Sequence, residues 1–227
     1  MPGCLLYYIT DRTAFPGDEP ARRRRLLDKI AEAAHCGVDF IQLREKDLSA
    51  RDLESLAHDA LRVIREAKPS TGDRPPATAL LINSRTDVAI AAGAHGVHLR
   101  SNDIAPSEVR IIGMTGVIAP ARENPRTIPL IAISCHSPED VAHAAAGKAD
   151  FAVFAPVFEK ISSPGTIPAG LEALRQACRT PIPVLALGGV SLQNAALCLD
   201  AGAAGIAGIR LFQDNDIVGV VRRLRAG

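Results

Sequence analysis

The sequence lacks several features that would place it in a specialised class of protein. Its five cysteines are an odd number, and no two of them have CxxC spacing. This pattern argues against a disulfide framework or a cysteine zinc site and favours a reducing cytoplasm. No apolar run reaches about 18 residues, and no basic region precedes the first apolar stretch. We therefore expect neither a transmembrane helix nor a signal peptide.

An excess of either charge is missing as well, because 26 basic and 25 acidic residues leave a formal net charge of +1. This balance gives no global field that would attract nucleic acid or an acidic membrane. The dense basic run Arg22 to Arg25 is compatible with phosphate or RNA binding, but it continues into LLDKIAEAAHCG and favours the solvated face of a helix. We expect no nucleic-acid or membrane partner. Assembly with identical chains is compatible with the sequence.

The 227 residues, 47% of them hydrophobic, contain short apolar runs that alternate with helical patterns. Eight of these runs predict strands. They cover residues 5–10, 39–45, 77–83, 96–99, 128–134, 151–157, 183–188 and 205–211. Eight strand–helix units in one chain of this length favour an α/β protein, a single (β/α)8 TIM barrel over residues 1–227. A doubly wound open sheet is the alternative.

The most informative polar residues follow the second predicted strand, in the segment IQLREK. Active sites of such barrels lie at the carboxyl ends of the strands. Because side chains alternate along a strand, Gln42, Arg44 and Lys46 share one face and are expected to point into the barrel mouth. Two cations there need anions. The partner is either an internal carboxylate such as Glu45 or a bound phosphate or pyrophosphate.

A second candidate anion site lies at the ends of the seventh and eighth strands. Gly188 and Gly189 follow one strand, and Ile209 and Arg210 end the other. Glycines and backbone N–H groups at this position commonly form the phosphate cradle of a barrel. Two anion sites that face each other predict two phosphorylated small-molecule substrates, or one substrate with a phosphate at each end.

The fifth strand ends in Ser134, Cys135 and His136. Ser134 and His136 share a face, and His136 is either a general acid or base suited to neutral pH or a packing and capping residue. Cys135 points away from the mouth by parity, which argues against a nucleophilic role. His98, within GVHL, is interpreted mainly as a packing residue of the barrel.

The segments YYITDR, IQLREK, INSR, GVHLRSND, ISCHS, APVF, ALGGV and GIAGIR occur in this order over nearly the whole chain. Together they resemble the thiamine phosphate synthase/TenI family of phosphate-binding barrels. The resemblance implies a transferase that joins an aminopyrimidine-methyl pyrophosphate to a thiazole phosphate, giving thiamine phosphate and pyrophosphate. It also implies Mg²⁺ as cofactor.

The resemblance assigns roles to individual positions. Gln42, Arg44 and Lys46 match the pyrophosphate-binding residues, and Asn83 and Ser134 match the residues that hold the pyrimidine. The catalytic candidates are therefore Arg44, Lys46, Ser134 and His136. The substrate-binding candidates are Gln42, Arg44, Lys46, Asn83, Ser134, Ser162, Ser163, Gly188, Gly189, Ile209 and Arg210. The metal candidates are Asp103 and Ser84.

Three positions depart from the synthase pattern. Ser84 stands where that pattern has an aspartate that binds magnesium, so one of two carboxylates is missing and a weakened Mg²⁺ site is expected. Ser163 stands where a loop lysine is expected, and Lys160 substitutes for it only if the loop has a different register. Arg210 replaces a small hydroxyl residue and adds a cation next to a phosphate.

Two further activities remain open at this point. The TenI branch of the family isomerises a thiazole phosphate carboxylate with a histidine at the position of His136, and Ser84 is compatible with that branch. A non-catalytic binder of thiamine precursors is a third interpretation. A sugar-phosphate isomerase would require an acid–base pair that the sequence does not offer. The intact pyrimidine-side residues, Asp103 among them, favour the synthase.

Overall fold

The computed structural model describes residues 3–67, 78–115, 130–159 and 165–226. Eight parallel strands close into a barrel in chain order, which confirms the predicted (β/α)8 fold. The strands are Leu5–Ile9 (β1), Phe40–Leu43 (β2), Ala79–Asn83 (β3), Gly96–Leu99 (β4), Leu130–Cys135 (β5), Phe151–Phe154 (β6), Val184–Ala186 (β7) and Gly205–Gly208 (β8).

Helices surround the barrel, and a short 3-10 turn, Arg12–Ala14, follows β1. The helices are Glu19–His35 (α1), Ala50–Glu66 (α2), Thr86–Ala92 (α3), Pro106–Thr115 (α4), Pro138–Ala146 (α5), Gly170–Ala177 (α6), Ala195–Asp200 (α7), Arg210–Gln213 (α8) and Ile217–Arg225 (α9). The basic run lies on α1, where Arg23 pairs with Asp59 of α2 at 2.8 Å and Arg24 and Arg25 are exposed. This is the solvated helix face that the sequence predicts.

The alternation of side chains along the strands divides the core into two layers. Tyr7, Leu81 and Leu185 pack with other inward residues inside the barrel. Leu6 and Leu80 point outward and pack against the helices. The same parity brings the polar residues at the strand ends to the upper opening of the barrel, where a site is expected.

Most of the predicted strands are longer than the observed ones, and only the range 96–99 is identical. The apolar run at 205–211 continues past β8 because α8 begins at Arg210, and hydrophobicity alone does not separate a buried strand from the buried turn of a helix. None of the helices within the described ranges is long and apolar enough to cross a membrane.

Candidate active site

A chain of hydrogen bonds connects four inward-pointing side chains below the barrel mouth. The Gln42 amide Nε2 donates to the Tyr7 hydroxyl at 3.1 Å, and that hydroxyl contacts Nδ1 of His98 at 3.0 Å. Nε2 of His98 lies 2.8 Å from the Ser134 hydroxyl. The predicted residues Gln42 and Ser134 are therefore brought together, through Tyr7 and His98.

Burial determines the protonation state of this chain. It lowers the pKa of His98 to about 3, and the nearby Arg44 guanidinium adds to the effect. Burial also raises the pKa of the Tyr7 hydroxyl. At neutral pH His98 is uncharged and Tyr7 is protonated, so each ring nitrogen of His98 has a fixed role.

The Gln42 amide determines which group donates at each step of this series of hydrogen bonds. Because the Tyr7 oxygen accepts from Gln42, its proton is available to Nδ1 of His98. Nε2 of His98 then carries the ring proton and donates to Ser134. The Ser134 hydroxyl keeps its own proton for a group in the mouth, and Ser134 is only partly buried. His98 thus orients Ser134, a role beyond the packing that the sequence indicates.

The pKa of His98 predicts how stability depends on pH. A folded pKa of about 3, below the usual 6.5, means that the folded state binds fewer protons between these values. Stability conferred by neutral His98 is present above about pH 6.5 and is lost as pH falls toward 3, at up to roughly 1.4 kcal/mol per pH unit. Urea unfolding at pH 7.5 and 5 should show a steeper loss for the wild type than for His98→Gln.

Exposed His58 provides the control, since its side chain is about half accessible (54%). His58→Gln should retain the wild-type pH dependence. If the free energy of unfolding depends on pH equally in the wild type and in His98→Gln, then burial does not lower the pKa of His98 in the folded state.

Positive side chains gather above this chain of hydrogen bonds. Arg44 and Lys46 follow β2, and Arg100 follows β4. Arg44 is the main cause of a lowered Lys46 pKa, burial is the second cause, and Arg100 lowers it further. Lys46 forms no ion pair with a described carboxylate, although Asp11 lies near enough to oppose part of the fall in its pKa. The mouth therefore presents a cluster of cations, which is suited to a polyanionic ligand.

Glu45, the sequence candidate for an internal ion pair with these cations, has other partners. Its carboxylate accepts from the Thr10 hydroxyl at 2.5 Å, from the Arg12 backbone N–H at 2.9 Å and from the Arg12 guanidinium at 3.3 Å. The Arg12 and Glu45 side chains are 4% and 1% exposed. Glu45 is buried on the side of the segment opposite to Lys46, so the predicted partner Glu45 does not pair with Lys46.

Arg12 connects Glu45 to two surface acids. Its guanidinium binds Asp47 through both terminal nitrogens at 2.7 and 2.8 Å and Glu19 through Nε at 2.8 Å. The Thr10 hydroxyl accepts from the Arg44 backbone N–H at 3.0 Å. These contacts, here named the Arg12 clamp, hold both flanks of the segment that carries Arg44 and Lys46.

The two candidate metal residues do lie together, but the carboxylate is already engaged. Ser84 lies near enough to Asp103 to help lower the pKa of that carboxyl, after the larger effect of Arg100. The Arg100 side chain contacts Oδ1 of Asp103 at 2.9 and 3.2 Å, and the Arg100 backbone N–H contacts Oδ2 at 2.8 Å. Across the described residues, no group of three or more His, Cys, Asp or Glu side chains could hold a metal.

The end of β5 agrees with the predicted parity. Cys135 is buried in the outer layer, and burial raises its pKa to about 12, which leaves it unreactive as a thiolate at neutral pH. His136 is exposed, and its Nδ1 lies 2.7 Å from the Ala155 carbonyl oxygen. Because a carbonyl only accepts, Nδ1 carries the proton and Nε2 is left for the mouth.

The second candidate anion site is partly described. Gly189 has a φ of 66°, and a side chain there would meet Cβ of Phe158 at 2.7 Å, so this close approach requires glycine. Gly188 also has a positive φ, of 91°. Arg210 is exposed at the start of α8, next to half-buried Ile209. Ser162, Ser163 and Lys160 lie outside the described residues.

Sequence reasoning missed Tyr7, Arg12 and Arg100, and it underrated His98. Each of the two arginines stands directly after a strand, or within three residues of its end, where a barrel site draws its side chains. The side chains of Tyr7 and His98 point into the barrel, as the alternation along their strands predicts. The sequence therefore indicates the position of these residues, but no local pattern shows which of them contact each other.

The chain is similar to known proteins over most of its length. The sequence model of the family described as "Thiamine monophosphate synthase" matches residues 6–212. A putative thiamine-phosphate synthase of Geobacter sulfurreducens is 40% identical over 204 residues, 89% of this chain and 83% of that protein. A thiamine-phosphate synthase of Methanoculleus marisnigri is 36% identical over 226 residues, 98% of this chain and 94% of that protein.

A solved structure extends the similarity to three dimensions. The thiamine phosphate pyrophosphorylase from Pyrococcus furiosus has a TM-score of 0.75 and 26% sequence identity to this chain, with coverage of 98% of this chain and 94% of that one. A 3-hexulose-6-phosphate synthase, at 14% identity and a TM-score of 0.63, shares the fold alone.

Proposed function

The chain belongs to the thiamine monophosphate synthase family, and from that premise we propose that its barrel mouth joins an aminopyrimidine-methyl pyrophosphate to a thiazole phosphate, with release of pyrophosphate. The observation that carries the proposal is the cation cluster of Arg44, Lys46 and Arg100, with Arg44 near His98, which contacts the Ser134 hydroxyl. The cluster supplies positive charge to bind a pyrophosphate, and the Ser134 hydroxyl can donate a hydrogen bond to a pyrimidine.

Each side chain has a distinct part in the proposed reaction. Arg44 and Lys46 bind the pyrophosphate and stabilise its negative charge as the bond to the pyrimidine methylene breaks. Asn83 and Ser134 orient the pyrimidine, with the Ser134 proton available because His98 donates to its oxygen. The electron-rich aminopyrimidine stabilises the carbocation-like methylene, which the thiazole nitrogen attacks, and the main work of the protein is to hold both partners in position.

The remaining candidates receive the second substrate. We assign Gly188, Gly189, Ile209 and Arg210 to the thiazole phosphate, because tight backbone approach at Gly189 and the exposed Arg210 cation suit a phosphate. Ser162 and Ser163 belong to the same proposal through the resemblance. His136, with Nε2 left for the mouth, is a candidate for proton transfer.

Mg²⁺ is the cofactor that the family resemblance implies, with Asp103 and Ser84 as its residues. The donor set does not fit a resident divalent ion, since its single carboxylate is paired with Arg100 and its second residue supplies only a hydroxyl. Mg²⁺ usually binds through one or two carboxylates, substrate phosphates and water. No step of the proposed reaction is assigned to the ion.

One assay tests the proposal and its alternatives. Purified protein with both precursors, with and without Mg²⁺, should form thiamine phosphate and pyrophosphate in equal amounts. Product from a thiazole carboxylate isomer alone, abolished in His136→Asn, would instead identify the TenI-type tautomerase. Binding of both precursors without any product would identify a non-catalytic binder.

Three accompanying properties are also part of the proposal. The partners are phosphorylated small molecules, the location is the cytoplasm, and residues 1–227 form a single barrel domain. The scattered cysteines, all five of them free of disulfides in the described residues, support the location. Light scattering would determine whether identical chains assemble.

A further inference from the structure

The ends of β2, β3 and β4 adjoin one another in the barrel, and the residues that follow them include Arg44, Lys46, Arg100 and Asp103. We propose that Arg100 provides the positive charge that a divalent ion would otherwise bring to this mouth, so that the chain binds a pyrophosphate group without a metal ion. The inference rests on the proposed function for the identity of the anion, and it adds that Arg100 takes the place of a metal ion.

Asp103 already accepts hydrogen bonds that a metal ion would have to replace. Both of its oxygens accept hydrogen bonds from Arg100, one from the guanidinium and one from the backbone N–H. The Asp103 side chain is only 12% exposed, whereas that of Arg100 is 61% exposed. A metal ion would have to displace this contact, while an anion arriving from solvent reaches Arg100 without disturbing it.

Ser84 offers a metal ion only a hydroxyl. Its backbone N–H donates to the His98 carbonyl oxygen at 2.8 Å, and its hydroxyl helps to lower the pKa of Asp103. A hydroxyl is a weak ligand for a hard divalent cation compared with a carboxylate. In this arrangement Ser84 supports the Asp103–Arg100 pair and adds no negative charge to the mouth.

Positive charge is in excess at the mouth. Arg44, Lys46 and Arg100 outnumber the carboxylates of Asp103 and Asp11, and Lys46 lies near enough to both arginines for its pKa to fall. A local excess of positive charge repels a divalent cation and attracts a polyanion. Guanidinium groups are suited to the task because they bind phosphate oxygens in pairs and are always charged.

Isothermal titration with inorganic pyrophosphate tests the inference directly. The wild type should bind pyrophosphate in excess EDTA with an affinity within about threefold of that in Mg²⁺, a difference below roughly 0.7 kcal/mol. Arg100→Gln should weaken binding in EDTA by about 10-fold, the worth of one charge-assisted hydrogen bond. Arg100→Lys should restore most of the affinity, because it keeps the charge.

A double variant should convert the site to metal dependence. In Arg100→Gln/Ser84→Asp, two carboxylates lie at the mouth and the competing guanidinium is gone. The backbone at Ser84 has a φ of 59°, a conformation that aspartate adopts more readily than most residues. Pyrophosphate should then bind at least about 10-fold more tightly with Mg²⁺ than with EDTA.

Arg110 offers a matched control, since it pairs with Asp150 at 2.9 Å at the opposite, amino-terminal end of the strands. Arg110→Gln should leave pyrophosphate binding unchanged in both buffers. Circular dichroism would verify that each variant is folded.

Pyrophosphate binding by the wild type only when Mg²⁺ is present, or no binding in either buffer, would overturn the inference. So would unchanged binding of folded Arg100→Gln in EDTA. Failure of the proposed function would look different: pyrophosphate would bind without metal and respond to Arg100, but the two precursors would give no thiamine phosphate.

Discussion

Replacement of Lys46 by methionine should lower the affinity for the aminopyrimidine-methyl pyrophosphate by roughly 10- to 100-fold. This is the worth of one charge-assisted hydrogen bond of about 1.5–3 kcal/mol. Thermal stability should hold or rise, because the substitution removes the repulsion from Arg44 and Arg100 that lowers the Lys46 pKa. Titration calorimetry with the pyrimidine substrate and a thermal melt of the same sample measure both effects.

Lys148→Met is the matched control. Lys148 is exposed and lies between α5 and β6, at the end of the barrel opposite the mouth, so the same substitution there should leave the affinity unchanged. A melting temperature that collapses in Lys46→Met, with unchanged affinity per folded molecule, would mean that Lys46 serves the fold. The IQLREK segment would then lose its role as a pyrophosphate site.

Replacement of Arg12 by methionine should reduce the free energy of unfolding by about 3–5 kcal/mol, because it leaves the buried Glu45 carboxylate without its cation. Burial already raises the pKa of Glu45, and Arg12 and Thr10 are the groups that oppose this rise. For a domain of this size, each kcal/mol corresponds to roughly 2–4 °C in melting temperature. Urea unfolding at pH 8 measures the loss.

The sign of the pH dependence provides a second test of the Arg12 clamp. Without Arg12 the folded-state pKa of Glu45 should lie further above its unfolded value, so the folded state binds a proton more readily. The destabilisation of Arg12→Met should therefore shrink as pH falls from 8 toward 5. A loss that grows over this range would contradict the assignment of the stranded charge to Glu45.

Two further variants distinguish the effect of a stranded buried charge from the effect of losing any ion pair. Arg23→Met breaks the half-exposed contact with Asp59 and should cost less than about 1 kcal/mol. Arg12→Met/Glu45→Met removes both buried charges and should recover much of the lost stability. If Arg12→Met costs no more than Arg23→Met, the clamp does not stabilise the fold in the way proposed.

The sequence alone was sufficient for the architecture. Eight apolar runs separated by helical patterns predict the eight strands, and the closed barrel confirms the fold. The period of two also placed Gln42 inside the barrel and Cys135 outside it, as observed. These features are predictable because burial of alternate side chains is a local requirement, met by the composition of a few consecutive residues.

The partners of the polar residues were decided by the tertiary structure. Glu45 was available in sequence to pair with Lys46, but strand parity turns it toward Arg12, 33 residues earlier. The sequence indicates a packing role for His98, but closure of the barrel places it between Tyr7 and Ser134, which are 91 and 36 residues away in the chain. Pairings over such separations depend on the register of several strands at once, which no local pattern contains.

For Asp103, the sequence predicts the position of the residue and the tertiary structure decides its contacts. The sequence alone determined that a carboxylate follows β4 and that Ser84, which follows β3, supplies only a hydroxyl. Only the folded chain decides what the carboxylate does, since its two oxygens accept from the side chain and the backbone N–H of Arg100. The physical reason is that a charge binds whatever partner geometry brings within reach, and here closure of the barrel sets that geometry.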